Sequence, residues 1–446
     1  MTAADVVCLG ESMVAFRPAR PEPGPLAGVA SFDRGIGGAE SNVACALAAA
    51  GHRAKWVSRV GTDAFGDHLV AAVAAYGVDV SAVQRDAGRP TGVYFRTAGE
   101  RGVGLPGSPG PASSAPLSEV LYYRAGSAAS AMSPALVRRS TAWSGRILHL
   151  TGITAALSAG CLALVRDLTE HRPGRPLVSF DVNYRLALWR DAPDGPDAPA
   201  GSEASAGSGA SHGPAVLAAL ARRCDLVFVG EDEAEAAWGV RGAAAIRAAL
   251  PEPRVLVVKH GAAGATAYVR GAAAGAPHAD AAVFVPALSV DVVAPVGAGD
   301  AFAAGFLSGT LRGLTVEQRL RHGHLMAAAA LTSPGDLAAP PRRDLADRLA
   351  ALGAEEWGRL RLGPGWTETA AADSTVAVTA ATATATTVTA DPAVGREAGQ
   401  AAGQAAGQAQ ATALPEPTDP TDPTESAEST GATGPGPGPA PAKERT

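Results

Sequence analysis

Ala294-Pro295-Val296-Gly297-Ala298-Gly299-Asp300-Ala301-Phe302-Ala303-Ala304-Gly305-Phe306 is the stretch from which the rest of the chain is read. Residues 290–293 before it have the pattern of a strand, 297–299 that of a tight turn, and the residues from Asp300 onward that of a helix with Asp300 in its first turn. Small residues let a backbone approach a phosphate closely, and free N–H groups at the positive end of a helix stabilise negative charge developing there. A carboxylate at that same end can take a proton from an attacking hydroxyl. The same letters also suit an ordinary glycine turn with an Asp cap. A second, independent stretch is needed to separate the two.

That stretch is Gly35-Ile36-Gly37-Gly38-Ala39-Glu40-Ser41-Asn42-Val43-Ala44, which leads into an alanine-rich helix. Paired glycines bring backbone amides against a ligand, and Asn42 offers a donor and an acceptor to sugar hydroxyls.

Between the two lies an alternation of strands and helices. Val6-Val7-Cys8-Leu9, Lys55-Trp56-Val57, Ile147-Leu148-His149-Leu150, Leu177-Val178-Ser179-Phe180, Leu226-Val227-Phe228-Val229 and Val255-Leu256-Val257-Val258 are nearly continuous apolar runs. Residues 41–50, 67–76, 161–170 and 231–238 have helical patterning. This order predicts a mostly parallel sheet covered on both faces. A second set of runs, 12–17, 28–34, 91–96 and 119–124, mixes polar with apolar residues and predicts a small separate sheet. Beside the carboxyl ends of the main strands it would form a lid.

Composition supports this reading and excludes others. Hydrophobic residues make up 47% of the chain and aromatic ones only 5%, so the core rests on Ala, Val and Leu. The net charge is −6, but residues 367–446 hold ten acidic and three basic residues, which leaves the remainder nearly neutral. Neither a nucleic-acid footprint nor a membrane-attracting basic run is present. Cys8, Cys45, Cys161 and Cys224 are far apart, without metal spacing, and suit free thiols in the cytoplasm. Residues 102–118 and 192–213 have loop composition, and the Ala, Thr, Gly, Pro and Gln tail from 366 to 446 has the composition of disorder.

Gly37-Gly38-x-x-x-Asn42 and Gly297-Ala298-Gly299-Asp300 resemble the two signature regions of the PfkB, or ribokinase-like, carbohydrate kinases, over roughly residues 6–349. Val60-Gly61-Thr62-Asp63-Ala64-Phe65-Gly66 and Lys259-His260-Gly261-Ala262-Ala263-Gly264 are similar to intermediate landmarks of that family. The resemblance implies a three-layer α/β/α sandwich with a β-sheet lid in a kinase domain spanning 1–365. It further implies transfer from ATP with Mg²⁺, Asp300 as base, and Gly297, Ala298 and Gly299 as the anion hole. Asn183, Glu233, Lys259, Gly261, Gly264, Gly297 and Gly299 would border the nucleotide, with Glu233 reaching Mg²⁺ through water. Where the family often has Asn-x-x-Glu, this chain has Gly230-Glu231-Asp232-Glu233. Where many members have Asp-Thr-Thr before the glycine loop, with the Asp often helping to bind a monovalent cation, it has Ala294-Pro295-Val296.

Three further clusters, Thr91-Gly92-Val93-Tyr94, Leu121-Tyr122-Tyr123-Arg124 and Asp181-Val182-Asn183-Tyr184-Arg185, are similar to segments of 2-keto-3-deoxygluconate kinases. By that resemblance Gly38, Asn42, Tyr94, Tyr122, Arg124, Arg185 and Asp300 would bind the sugar acid. Two guanidinium forks suit a carboxylate. A fructokinase or ribokinase-like enzyme with a neutral sugar, and a sugar- or nucleotide-binding regulator with weak catalysis, remain alternatives. A homodimer through the lid is the expected assembly.

Overall fold

Val6, Val7, Cys8 and Leu9 are all fully shielded from solvent, which is why the run is apolar without a break rather than alternating. The computed structural model describes residues 4–20, 25–97, 120–190, 209–271, 280–335 and 337–368. These belong to the first of two units, Met1–Ala385; the second, Thr386–Thr446, lies outside them. The strands are β1 (Ala4–Leu9), β2 (Met13–Pro18), β3 (Phe32–Gly37), β4 (Ala54–Gly61), β5 (Asp79–Asp86), β6 (Val93–Arg96), β7 (Val120–Tyr123), β8 (Gly145–Thr151), β9 (Leu177–Asp181), β10 (Leu226–Gly230), β11 (Val255–Lys259), β12 (Gly264–Val269) and β13 (Ala281–Pro286). The helices that build the cores and the site are α1 (Ala39–Ala49), α2 (Ala64–Ala75), α3 (Ala159–Thr169), α4 (Gly209–Arg222), α5 (Glu231–Trp238), α6 (Ala298–Leu311), α7 (Val316–Leu331) and α8 (Arg343–Ala350).

One nine-stranded sheet has the order β13-β12-β11-β10-β9-β8-β1-β4-β5. It is parallel from β11 to β5 and antiparallel where β12 and β13 are added. Successive side chains of a strand point to opposite faces. Accordingly Val6, Cys8 and Phe228 enter a core shared with α1, α6, α7 and α8. Val7, Leu9, Val227 and Val229 enter a second core shared with α3 and α4. Sheet and flanking helices form a three-layer α/β/α sandwich, as expected. Its core is chiefly aliphatic, with a few large anchors such as Phe228, which meets Phe306 edge to face at 5.5 Å.

A separate sheet of order β3-β2-β6-β7 is the predicted lid. One face carries Met13, Ala15 and Tyr94, and Tyr94 lies 5.7 Å from Tyr122 across the β6–β7 ladder. The other face carries Phe16, Phe32, Phe95 and Tyr123 in ring contact, joined by Phe65 of α2. The 60–66 landmark anchors this sheet to the body. Asp63 caps α2 by accepting from Gly66 N at 2.8 Å, and its other oxygen accepts from Thr91 N at 2.8 Å, just ahead of β6.

Four boundaries differ from expectation. The strand predicted over 290–293 is only Ser289–Val290, because Val293 N and Ala294 N turn away to the Leu331 carbonyl at the end of α7. The run predicted from 28 begins at Phe32, since Leu26–Gly28 closes a 3₁₀ turn. Helix α4 starts at Gly209, inside the predicted 192–213 loop, and carries Pro214 as its sixth residue, where the proline leaves one intrahelical hydrogen bond unmade. The body runs past 365: Trp366–Glu368 forms one 3₁₀ turn, and the Trp366 side chain is buried in the first core. The 102–118 loop and the tail beyond 368 lie outside the described residues.

Candidate active site

The carboxyl ends of β1, β8, β9, β10 and β11 share one edge of the sheet, and the amino ends of α1 and α6 meet them there. Gly297 precedes α6 with φ 74°, a left-handed conformation that glycine takes without strain. Ala298, Gly299 and Asp300 are the first turn of that helix, so their amides lie where a helix leaves its N–H groups unpaired. Lys259, at the end of β11, reaches into the same turn. A Cβ on Gly299 would stand 3.8 Å from its Nζ.

Asn42 arrives from α1. Its Nδ2 donates to Asp300 Oδ2 at 2.9 Å. The loop beneath it is tightly packed: a side chain on Gly38 would collide with the Glu11 carbonyl, and Ser41 Oγ bonds Ser12 Oγ at 3.0 Å. Glu40 is fully buried and accepts from Thr151 and Thr154 hydroxyls at 2.8 and 2.6 Å. Burial pushes its carboxyl up from the usual range, against the two hydroxyl donors.

Lys259 Nζ donates to both oxygens of Asp181, at 3.2 and 2.9 Å. Burial alone would push this ammonium down, but Asp181, Glu233 and Asp300 together hold it well above its ordinary value. Asp181 is itself buried. Glu233 reaches back to accept from Gly230 N at 2.8 Å. Its carboxyl is raised by burial, with Lys259 and Arg185 opposing. A Cβ on Gly230 would come within 2.5 Å of the Asp232 carboxylate, the free end of an exposed side chain that can turn aside, so packing does not itself demand glycine where the family often has Asn. Asn183 has φ 39°, an uncommon conformation for a residue other than glycine, and its buried Oδ1 makes no hydrogen bond. Arg185, two residues on, is exposed. Gly261 and Gly264 shape the turn between β11 and β12 with φ 59° and 136°. His260, which opens this turn, is pinned by Glu231 at 2.7 Å and Thr266 at 3.0 Å.

On the lid side Tyr94 is buried and Tyr122 exposed. Arg124 follows β7 with its guanidinium carbon 5.7 Å from the Tyr122 ring centroid. It forms an ion pair with the buried Glu11, whose other oxygen accepts from Ser127 Oγ at 2.6 Å. The structure thus gathers the expected residues in two groups. Asn42, Asp300, the 297–299 turn, Lys259 and Glu233 meet at the sheet edge; Tyr94, Tyr122 and Arg124 meet on the lid. Glu11 touches both, through its carbonyl below Gly38 and its carboxylate at Arg124.

Two residues central to this geometry had no assigned role in the sequence reading: Asp181 and Glu11. Each is an acid placed directly after an apolar strand run or one residue beyond it. That signal was available, since a carboxylate there is buried by the fold and must find a cation.

Nucleotide and metal fit the donor set. The unbonded Asn183 Oδ1 and the Asp181 and Glu233 carboxylates are hard oxygen donors of the type magnesium takes. Among the described residues no cluster of three or more His, Cys, Asp or Glu forms a metal cage.

Comparison with known proteins identifies the family. The profile described as pfkB family carbohydrate kinase matches residues 3–105 and 207–343. The Bacillus subtilis (strain 168) 2-dehydro-3-deoxygluconokinase is 34% identical over 357 residues, 78% of this chain and 96% of that protein. The crystal structure of a PfkB protein from Polaromonas sp. JS666 superposes with a TM-score of 0.60 at 31% identity, covering 78% of this chain and all of that one. A putative ribokinase II from E. coli, solved with ATP and Mg²⁺, has the same fold at a TM-score of 0.62 and 20% identity, over 77% and 98% of the two chains.

Proposed function

The chain belongs to the PfkB family of carbohydrate kinases, and on that footing we propose that it transfers the γ-phosphoryl group of ATP to a sugar acid, converting 2-keto-3-deoxygluconate into its 6-phosphate. The observation that carries this reading is the meeting of Asp300, Asn42, the 297–299 amides and Lys259 at one sheet edge beneath a lid bearing Tyr94, Tyr122 and Arg124. In this reading Asp300 accepts the proton of the attacking hydroxyl. The freed oxygen forms a bond to the γ-phosphorus as the bond to the β-phosphate oxygen breaks, and ADP leaves with that electron pair. The amides of Gly297, Ala298 and Gly299, with Lys259, stabilise charge on the transferring group. Magnesium, when bound, would neutralise the phosphates; Glu233, Asp181 and Asn183 would hold it, directly or through water. Gly261 and Gly264 let the backbone of the β11–β12 turn run close to the nucleotide. The kinase domain includes the Trp366–Glu368 turn.

Arg185 and Arg124 are the readers of the sugar carboxylate. A second reading, a neutral sugar such as fructose, is favoured by one observation: Glu11 already neutralises Arg124. Rates on a panel of sugar acids and neutral sugars with Mg-ATP separate the two. The wild-type protein is expected to prefer the acid, and Arg185→Lys to reduce that preference about tenfold, because an ammonium cannot reproduce a planar fork. Equal losses on acid and neutral sugars would remove Arg185 from this role.

Leu121, Tyr122 and Tyr123 are exposed on β7, an edge strand of the lid, and an apolar edge is a pairing surface. We infer a homodimer through this strand. Sedimentation should give twice the chain mass at micromolar concentration, shifting towards the monomer in Leu121→Lys; a monomeric wild type would refute it. The four cysteines are free and buried, and no described helix is long and apolar enough to cross a membrane. Both fit our placement of the enzyme in the cytoplasm.

A further inference from the structure

A cavity of about 270 Å³ opens beside the small sheet, walled by residues of β2, β3, β6 and α2 and by Gly335 and Leu337 after α7. None of the residues assigned above to sugar, nucleotide or magnesium lines it. Its volume is roughly twenty times the room that one water needs, enough for a sugar phosphate. The charge in its wall has one sign: Arg17, Arg34 and Arg96 line it, and no described residue there is acidic. Arg17 donates to the Pro334 carbonyl at 2.7 Å, a neutral acceptor that leaves the guanidinium charge uncompensated. Arg34 is exposed, and neither it nor Arg17 has an ion pair among the described residues. His68 enters the wall from α2. Its Nε2 is buried and makes no hydrogen bond, while burial and then the Arg34 charge hold the ring below its ordinary value, against a hydrogen bond to the Gly35 backbone. With the other nitrogen engaged at Gly35, the neutral ring offers Nε2 as an acceptor.

We propose that this cavity is a second ligand site, separate from the site of phosphoryl transfer, and that it takes the phosphate monoester of a small polyhydroxylated compound. A guanidinium meets phosphate through two parallel charge-assisted hydrogen bonds, and a monoester has three free oxygens to share among arginines arriving from β2, β3 and β6. A lone carboxylate would fill one fork and leave the other charges facing each other. The room beyond the phosphate holds the carbon chain against Ile36, Ala72 and Leu337. A hydroxyl on that chain donates to His68 Nε2 and so pairs the buried nitrogen. Such a ligand touches the small sheet, α2 and the segment after α7 at once, and it restrains β3, the strand that leads into Gly38.

The test is calorimetric titration of the full chain with glucose 6-phosphate in the presence of a saturating non-hydrolysable ATP analogue. Wild type should bind it with a Kd below about 1 mM. Gluconate, which lacks the phosphate, and inorganic phosphate, which lacks the chain, should each bind about tenfold more weakly or worse. Arg34→Ala should weaken glucose 6-phosphate by about tenfold or more while kcat in the kinase assay stays within about twofold of wild type. Ala72→Phe keeps every charge and fills the cavity, so it should abolish binding as well. In hydrogen exchange the ligand should slow the amides of β3 and of residues 68–76. No binding at millimolar ligand would overturn the proposal. Binding that survives both substitutions and protects residues 297–300 instead would place the phosphate at the transfer site and overturn it too. Inorganic phosphate binding as tightly as glucose 6-phosphate would overturn the assignment of a sugar-borne ester. The readout is binding rather than turnover, so failure here leaves the role of Asp300 untouched, and an error about the acceptor sugar leaves this test intact.

Discussion

Replacing Asp300 by Asn is expected to lower kcat by about a hundredfold or more while leaving the melting temperature within a few degrees of wild type. The amide has the same shape, and its oxygen can still accept from Asn42 Nδ2, so the anion hole and the helix start are preserved. What is lost is the capacity to take a proton at the moment the hydroxyl attacks. Phosphoryl transfer demands little covalent chemistry of the protein, so the loss reflects misplaced charge and an undeprotonated nucleophile rather than a broken fold. Sugar affinity should change little. Turnover near the wild-type rate would remove Asp300 from the role of base, and a collapse of sugar binding with a modest fall in kcat would make it a substrate anchor.

Lys259→Met is the second substitution with a large expected effect, a fall in kcat on the order of a hundredfold. The ammonium stands at the turn where the transferring group must pass, and three carboxylates hold it charged against the cost of burial. Removing it deletes a fixed positive charge at the developing negative one. It also strands Asp181, which is only 2% exposed. An uncompensated buried carboxylate costs about 3 kcal/mol, enough to lower Tm on its own account. The double variant Lys259→Met with Asp181→Asn separates the two effects, since it removes the charges together and should recover most of the stability while staying inactive. If the double variant recovers turnover along with stability, Lys259 serves the fold and not the reaction.

The two substitutions differ in how far their reasons can be seen in the chain. Asp300 is legible because everything that gives it a role is adjacent: the glycines, the helix that begins there and the strand before. Lys259 is legible only as part of a glycine-containing segment that would border the nucleotide. Its place beside Gly299 and its pairing with Asp181 become visible only when β9 and β11 are brought to the same sheet edge. Arg124 is legible in part. Its neighbours Tyr122 and Tyr123 suggest a ligand-facing guanidinium, but a carboxylate at position 11 takes part of its fork. The strand predicted over 290–293 failed for a related reason. Its residues have strand composition, yet the Leu331 carbonyl captures the amides of Val293 and Ala294 and ends the ladder.

By itself the sequence determined the layered α/β architecture, the existence of a small separate sheet and the glycine turn ahead of α6. Each of these depends on periodicity or turn chemistry contained within a short window of residues. Tertiary structure alone decided which polar groups answer one another: Asn42 with Asp300 across 258 positions, Asp181 with Lys259 across 78, and Glu11 with Arg124 beside the small sheet. A buried charge must find a partner, but burial and partnership arise only after distant elements have packed, and no local pattern specifies which of several acids and bases will meet.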